Sequence, residues 1–200
     1  MSSVTKITLS DKELSLVTNA DWILTKQKIT DKVYELFATM IPYIKAALFS
    51  YSLPAEAIAS FPKISKGEHY LQLPYVMLDY PRCFDKENIL ALRTMFWWAN
   101  FFSITLHVSG KYNDVIKSRL LKNSHLLDSD FYIGVNENQW EHHFEPHNFL
   151  PVNKLKENNL EVLLDKNDFI KLALRFELAQ WNDMPILLRE GYNKIGALII

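Results

Sequence analysis

The chain predicts an α+β fold, with N-terminal helices packed on a largely antiparallel sheet and C-terminal helices completing the core. Three observations carry that prediction. Helical spacing of apolar residues fills the first part of the chain, an uncharged aromatic and β-branched run occupies its middle, and helical spacing returns near the end. The 200 residues suit a single globular domain over 1–200, divided into a helical part (1–54), a sheet-rich part (75–145) and C-terminal helices (165–200).

Ser10 followed by Glu13 forms a capping-box pattern, in which hydroxyl and carboxylate satisfy unpaired backbone donors at a helix start. Leu16, Val17, Ala20, Ile23 and Leu24 then recur at helical spacing. A second helix is expected from Thr30 or Asp31, both N-cap types, with Val33, Leu36, Phe37, Met40, Ile41, Ile44, Ala47 and Leu48 on one stripe. Pro42 lacks an amide proton and clashes with the preceding turn, so a kink or a new start is expected there. Leu53-Pro54 closes the helical region.

Residues 55–74 are punctuated by Pro62, Gly67 and Pro74 and admit only short structure. Tyr75 to Tyr80 reads as a strand that Pro81 stops. Asp85 to Arg93 reads as a short helix or an ordered connection. Between Arg93 and Lys111 no residue is formally charged, and the run reads as one long buried strand. Because strand side chains alternate, one side carries Phe96, Trp98, Asn100, Phe102, Ile104, Leu106 and Val108 and should meet helices. The other carries Met95, Trp97, Ala99, Phe101, Ser103, Thr105 and His107, grading from large apolar to small polar.

A helix follows from Asn113 or Asp114. Phe131 to Val135 reads as a strand whose hairpin partner is Gln139 to Phe144, across an Asn136-Glu137-Asn138 turn. Phe169, Leu172, Ala173 and Phe176 read as helical. Asp183 and Pro185 start a final helix that Gly191 and Gly196 should break. The Ala-Leu-Ile-Ile tail is too apolar to stay in water and should dock on the core.

The composition bounds function. The formal net charge is −1, so the clustered positive charge that captures nucleic acid is not expected, and Lys117, Arg119 and Lys122 read as a solvated helix face. Cys83 is the single cysteine, so no intrachain disulfide can form. The first residues lack the charged and apolar regions of a signal peptide. The uncharged run falls short of the ~20 apolar residues of a membrane helix and contains Asn100, Ser103, Thr105 and His107. A soluble cytoplasmic chain with no nucleic-acid or membrane partner is the expectation. Neither a Gly-rich phosphate loop nor a Gly-x-Ser-x-Gly elbow is present.

Several groups of residues invite a chemical reading. Glu141, His143, Glu145 and His147 crowd one short stretch with ligand types that suit a divalent metal, and His107, His125 or Asp79 are candidate additional ligands. A metal-dependent, hydrolase-like enzyme follows from that stretch. Asp79 and Arg82 stand at a strand end, where Arg82 either clamps an anionic ligand or braces Asp79 or Asp85. Tyr75, Trp97, Phe101, Thr105 and His107, with Met77, form the candidate wall of an aromatic-lined pocket for a small ligand. A Cys83–His107 nucleophile and base pair is also conceivable by residue type. Trp22, Tyr34 and Tyr43 are interface candidates for a homodimer or a homo-oligomeric structural protein. With no catalytic motif present, the leading expectation is a non-catalytic protein that binds a small molecule or another protein.

Overall fold

The computed structural model describes residues 7–48, 50–155 and 159–200. Its helices are α1 (Asp11–Val17), α2 (Ala20–Leu48), α3 (Ala55–Ile58), α4 (Asn113–Lys122), α5 (Asn159–Lys166) and α6 (Met184–Leu198). Its strands are β1 (Lys63–Tyr70), β2 (Leu73–Phe84), β3 (Ile89–Trp97), β4 (Phe101–Ser109), β5 (Phe131–Gly134), β6 (Phe149–Pro151) and β7 (Phe169–Glu177). They form one seven-stranded sheet in the order β1-β2-β3-β4-β7-β5-β6, and every pairing is antiparallel. This is the α+β architecture that the sequence predicts.

The uncharged run is a hairpin of two strands rather than one long strand. Ala99 takes φ 60° at the tip, and Trp97 pairs with Phe101 across it. Every β3–β4 pair has residue numbers summing to the same even value, from Ile89↔Ser109 to Trp97↔Phe101. Partners therefore share parity, and Phe96, Phe102, Ile104, Leu106 and Val108 still lie on one side with Met95, Trp97, Phe101, Ser103, Thr105 and His107 on the other. All nine residues of β4 are buried, because both sides of this central strand are covered.

The even side meets α2, α4 and α6. Val33, Phe37, Met40, Ile44 and Leu48 of α2 face it at a spacing of three and four residues and are essentially solvent-free. Phe37 meets Phe102 edge-on at 6.3 Å, and Trp181 packs against both Phe96 and Phe102. Tyr192 of α6, fully buried, shares a 2.6 Å hydrogen bond with Thr94.

Several local expectations need correction. Thr30 and Asp31 start no helix: both lie inside α2, where the Thr30 hydroxyl donates back to the Lys26 carbonyl at 3.0 Å. Pro42 is also inside α2, on its exposed side, so the Ala38 carbonyl that it leaves unpaired faces solvent. Pro81 does not stop β2, because it sits in a bulge where Tyr80 and Pro81 together oppose Leu92. Residues 169–177 are strand β7, not helix. Gln139 to Phe144 is not a strand, and β5 pairs instead with β6. Gly196 does not break α6: a Cβ there would collide with the Tyr51 ring, so the glycine lets α6 close on it. The docked tail holds, with Leu198 and Ile199 buried.

Candidate functional site

The odd side of the sheet is covered by an irregular strap, residues 135–148, which joins β5 to β6. Beneath it the central strands bring together Asp79 from β2, Arg93 from β3, His107 from β4 and Lys171 from β7. Register puts them side by side, since Asp79 pairs with Arg93, Ala91 with His107, and His107 with Lys171. Asp79, His107 and Lys171 are 7%, 2% and 2% exposed.

The four are consumed by partners. Arg93 grips Asp79 through two bonds, Nε to Oδ1 at 2.7 Å and Nη2 to Oδ2 at 3.2 Å. Its third nitrogen, Nη1, lies 3.2 Å from His142 Nε2. Arginine only donates, so His142 accepts there and is neutral with its proton on Nδ1. His107 Nε2 stands 2.9 Å from Gln139 Oε1, an acceptor, so His107 carries its proton on Nε2 and donates it there. Lys171 donates to the Glu141 carbonyl, and its ammonium lies 4.9 Å from the Phe149 ring centroid. Tyr70, at the tip of the β1–β2 hairpin, clamps the strap: its hydroxyl accepts from the His142 and His143 amides at 2.6 and 2.9 Å and donates to Glu141 Oε2 at 3.0 Å.

Burial sets the protonation of this layer. It depresses His107 to about 4 and Lys171 to about 7, each pushed further down by the Arg93 charge and, for His107, by Lys171. His142 falls well below the usual imidazole range for the same reasons, burial first and then Arg93. Burial raises Tyr70 to about 12. Arg93 and Lys171 are set against Asp79 and, more distantly, the Glu141 carboxylate, whose charge opposes the depression of Lys171.

The aromatic wall is packed rather than open. Tyr70 meets Trp97 at 5.1 Å, and Phe144 of the strap meets Phe101 at 5.0 Å and stacks on Phe149 at 4.7 Å. The strap leaves a groove on each flank. One, of about 430 Å³, has Tyr70, Tyr75, Met77, Trp140 and His142 on its walls. The other, of about 400 Å³, has Trp97, Phe101, His143, Phe144, His147 and Arg175. The predicted pocket residues are thus separated: Tyr75 lines one groove, Trp97 and Phe101 the other, and Asp79, Thr105 and His107 are sealed between them.

Arg82 does not join them. It is exposed, its amide donates to Ser60 Oγ at 2.9 Å, and its guanidinium lies 5.8 Å from the Phe84 ring centroid. The brace on Asp79 is Arg93 instead. Cys83 lies beyond the β2 bulge, which turns it with Leu90 toward the helix side, across the sheet from His107. Burial raises its thiol, so no activated Cys83–His107 pair exists.

In the His/Glu stretch, His143 Nε2 comes within 3.7 Å of Glu141 Oε2, and the His143 and His147 rings lie 4.9 Å apart. Glu141 is already engaged by Tyr70 and by the Asn138 amide at 3.2 Å. Glu145 and His147 are exposed. Among the described residues no three His, Cys, Asp or Glu side chains converge in an arrangement that holds an ion, so the expected ligand set of Glu141, His143, Glu145 and His147 is not assembled.

Arg93, Lys171, Tyr70, Gln139 and His142 were not expected in this layer. Arg93 and Lys171 did carry a signal, as lone charges inside otherwise apolar strand runs. Tyr70 and Gln139 carried none, because only the tertiary fold brings them to the strap.

Comparison with known protein families, with curated proteins and with solved structures gave no match. Among the described residues no helix is long and apolar enough to cross a membrane.

Proposed function

We propose that this chain is a non-catalytic interaction protein that associates with another protein through its N-terminal helical end. One observation carries the reading. Ile7, Leu9, Leu14, Leu16, Val17, Trp22, Ile23 and Leu24 are between 43% and 95% exposed and run from the residues before α1 through α1 into the start of α2. Contiguous apolar surface of this kind marks association sites. Trp22 is the interface aromatic of the three considered; Tyr43 instead bonds Asn193 Oδ1 of α6 at 2.6 Å, and Tyr34 packs against the core.

The polar layer supports the non-catalytic half of the reading. Its acid and bases are mutually satisfied and lie under the strap, so they address one another and not a substrate. A single half-buried cysteine suits a reducing, cytoplasmic setting.

The test is crosslinking in extract of the cell that makes the protein. The wild type is expected to migrate above its 23.4 kDa chain mass, and a Leu14→Asp/Val17→Asp/Leu24→Asp variant at it, with equal melting temperatures. Identical migration of both at the chain mass overturns the reading. A cooperative loss of stability in the variant also overturns it, since the residues would then belong to the core.

A further inference from the structure

We propose that the occupant of this end is a second copy of the chain, with α1 of each copy docked in the groove beneath the start of α2 of the other. The inference rests on the interaction reading above and names its partner.

α1 is well capped at its N-terminus. Ser10 and Glu13 cap one another reciprocally, with the Ser10 amide donating to Glu13 at 2.7 Å, and Leu9 and Leu14 stand at the hydrophobic-staple positions. Yet none of its seven residues is buried. Isolated helices shorter than ~12–15 residues are marginal in water, so α1 needs a surface to lie on.

The same end of the molecule supplies one. The 29-residue α2 spans about 44 Å at ~1.5 Å per residue, and its first turns are largely exposed. Its sheet-facing stripe of Val33, Phe37 and Met40 runs back through Thr30 to Ile23, beside the edge strand β1 and the start of β2. A groove of about 340 Å³ opens there, walled by Ile23, Leu24, Pro74, Tyr75 and Trp98.

Charge and area both fit the occupant. The groove rim carries Lys26 and Lys66 against Glu68, an excess of one positive charge, while α1 carries Asp11 and Glu13 against Lys12, an excess of one negative. Leu14 and Val17 stand three residues apart on one helix face, the spacing that fills an apolar groove. With ~150–250 Å² for a large aromatic and somewhat less for an aliphatic side chain, the exposed fractions sum to several hundred Å², the scale of the ~800 Å² that each partner gives a stable interface. In a two-fold dimer each copy donates one helix and receives one, so the contact closes and does not propagate.

Light scattering on the purified chain is expected to give twice the 23.4 kDa chain mass at micromolar concentration, and Leu14→Asp/Val17→Asp is expected to halve it with unchanged helix content. In a Cys83→Ser background, Leu14→Cys protein mixed with Lys66→Cys protein should form a covalent dimer on oxidation, a bridge that only two chains can make. A purified chain that is monomeric at every concentration overturns the inference. So does a Leu14→Cys/Lys66→Cys chain that closes only an internal bridge, because α1 would then fold onto its own groove. A dimer that survives Leu14→Asp/Val17→Asp overturns it by placing the contact elsewhere. In each of these cases crosslinking in extract separately decides whether the interaction reading stands.

Discussion

The helix-covered side of the sheet and the strap-covered side use the same strands and are closed by different means. On the helix side, Phe96, Phe102, Ile104 and Leu172 meet apolar helices, and burial is driven by removing hydrocarbon from water. On the strap side, Asp79, Arg93, His107 and Lys171 meet an irregular segment, which they hold by directed bonds to His142, Gln139 and the Glu141 carbonyl. A helix brings its own backbone bonds satisfied, so it asks only for an apolar surface. An irregular strap arrives with free amides and carbonyls, and each must find a partner when buried. The polar layer is the complement of that need: Tyr70 takes two strap amides and Lys171 takes a strap carbonyl.

The difference can be broken from either side. The largest effect is expected from Phe102→Ala on the helix side, since this solvent-free ring touches Phe37, Phe96 and Trp181; a loss of about 3–5 kcal/mol should appear in denaturant unfolding. On the strap side, Asp79→Ala leaves the Arg93 guanidinium buried without its carboxylate and should cost about 3 kcal/mol or more, whereas the double Asp79→Leu/Arg93→Met should recover most of that loss. Equal damage from the single and double variants would show that the pair contributes more than mutual neutralisation.

A pH series sharpens the comparison, because among the described residues the helix side has no counterpart to the buried bases. His107 titrates near 4 when folded and near 6.5 when unfolded, so the unfolded chain binds more protons in that interval. Its contribution is complete above pH 6.5 and is lost as pH falls toward 4, at up to ~1.4 kcal/mol per pH unit for one proton. His142 acts in the same direction. Lys171 behaves likewise at higher pH, its contribution complete above 10.5 and lost as pH falls to about 7. His107→Gln should therefore flatten unfolding free energy between pH 6.5 and 4, and Lys171→Met between pH 10.5 and 7. Slopes unchanged in both variants would show that other groups govern the response. The smallest effect is expected at the surface: Lys194→Ala removes a half-exposed bridge to Asp128 and Asp130 and should change stability by less than ~1 kcal/mol in the same unfolding measurement.

How much of this could be read from residues alone follows from where the information lies. The two sides of the central hairpin were legible, because alternation survives whether the run is one strand or two. The hairpin tip was not, since Trp98-Ala99-Asn100 lacks the glycine that usually marks a positive φ. The residues of β7 are ambiguous: Ile170, Leu172, Leu174 and Phe176 alternate strictly, but Phe169 and Ala173 also satisfy the helical spacing that the sequence predicts, and only pairing between β4 and β5 decides. β1 is a lysine-bearing edge strand with little alternation and so gave almost no signal. Of the candidate site, alternation along the run puts Thr105 and His107 on one side, while Asp79 is legible only as a residue near a strand end. The partner of Asp79 was not found, because Arg82 is nearer in sequence and Arg93 is nearer across the ladder.

The tip of the β3–β4 hairpin acts as a counting device. Three residues separate Trp97 from Phe101, and that number keeps every downstream side chain in phase with its upstream neighbour. One inserted residue at this tip, unless a bulge absorbed it, would turn Ser103, Thr105 and His107 into the hydrocarbon beneath α2 and α6 and present Phe102 and Ile104 to the strap. At this tip, length sets the faces of the whole sheet, apart from whatever its side chains contribute locally.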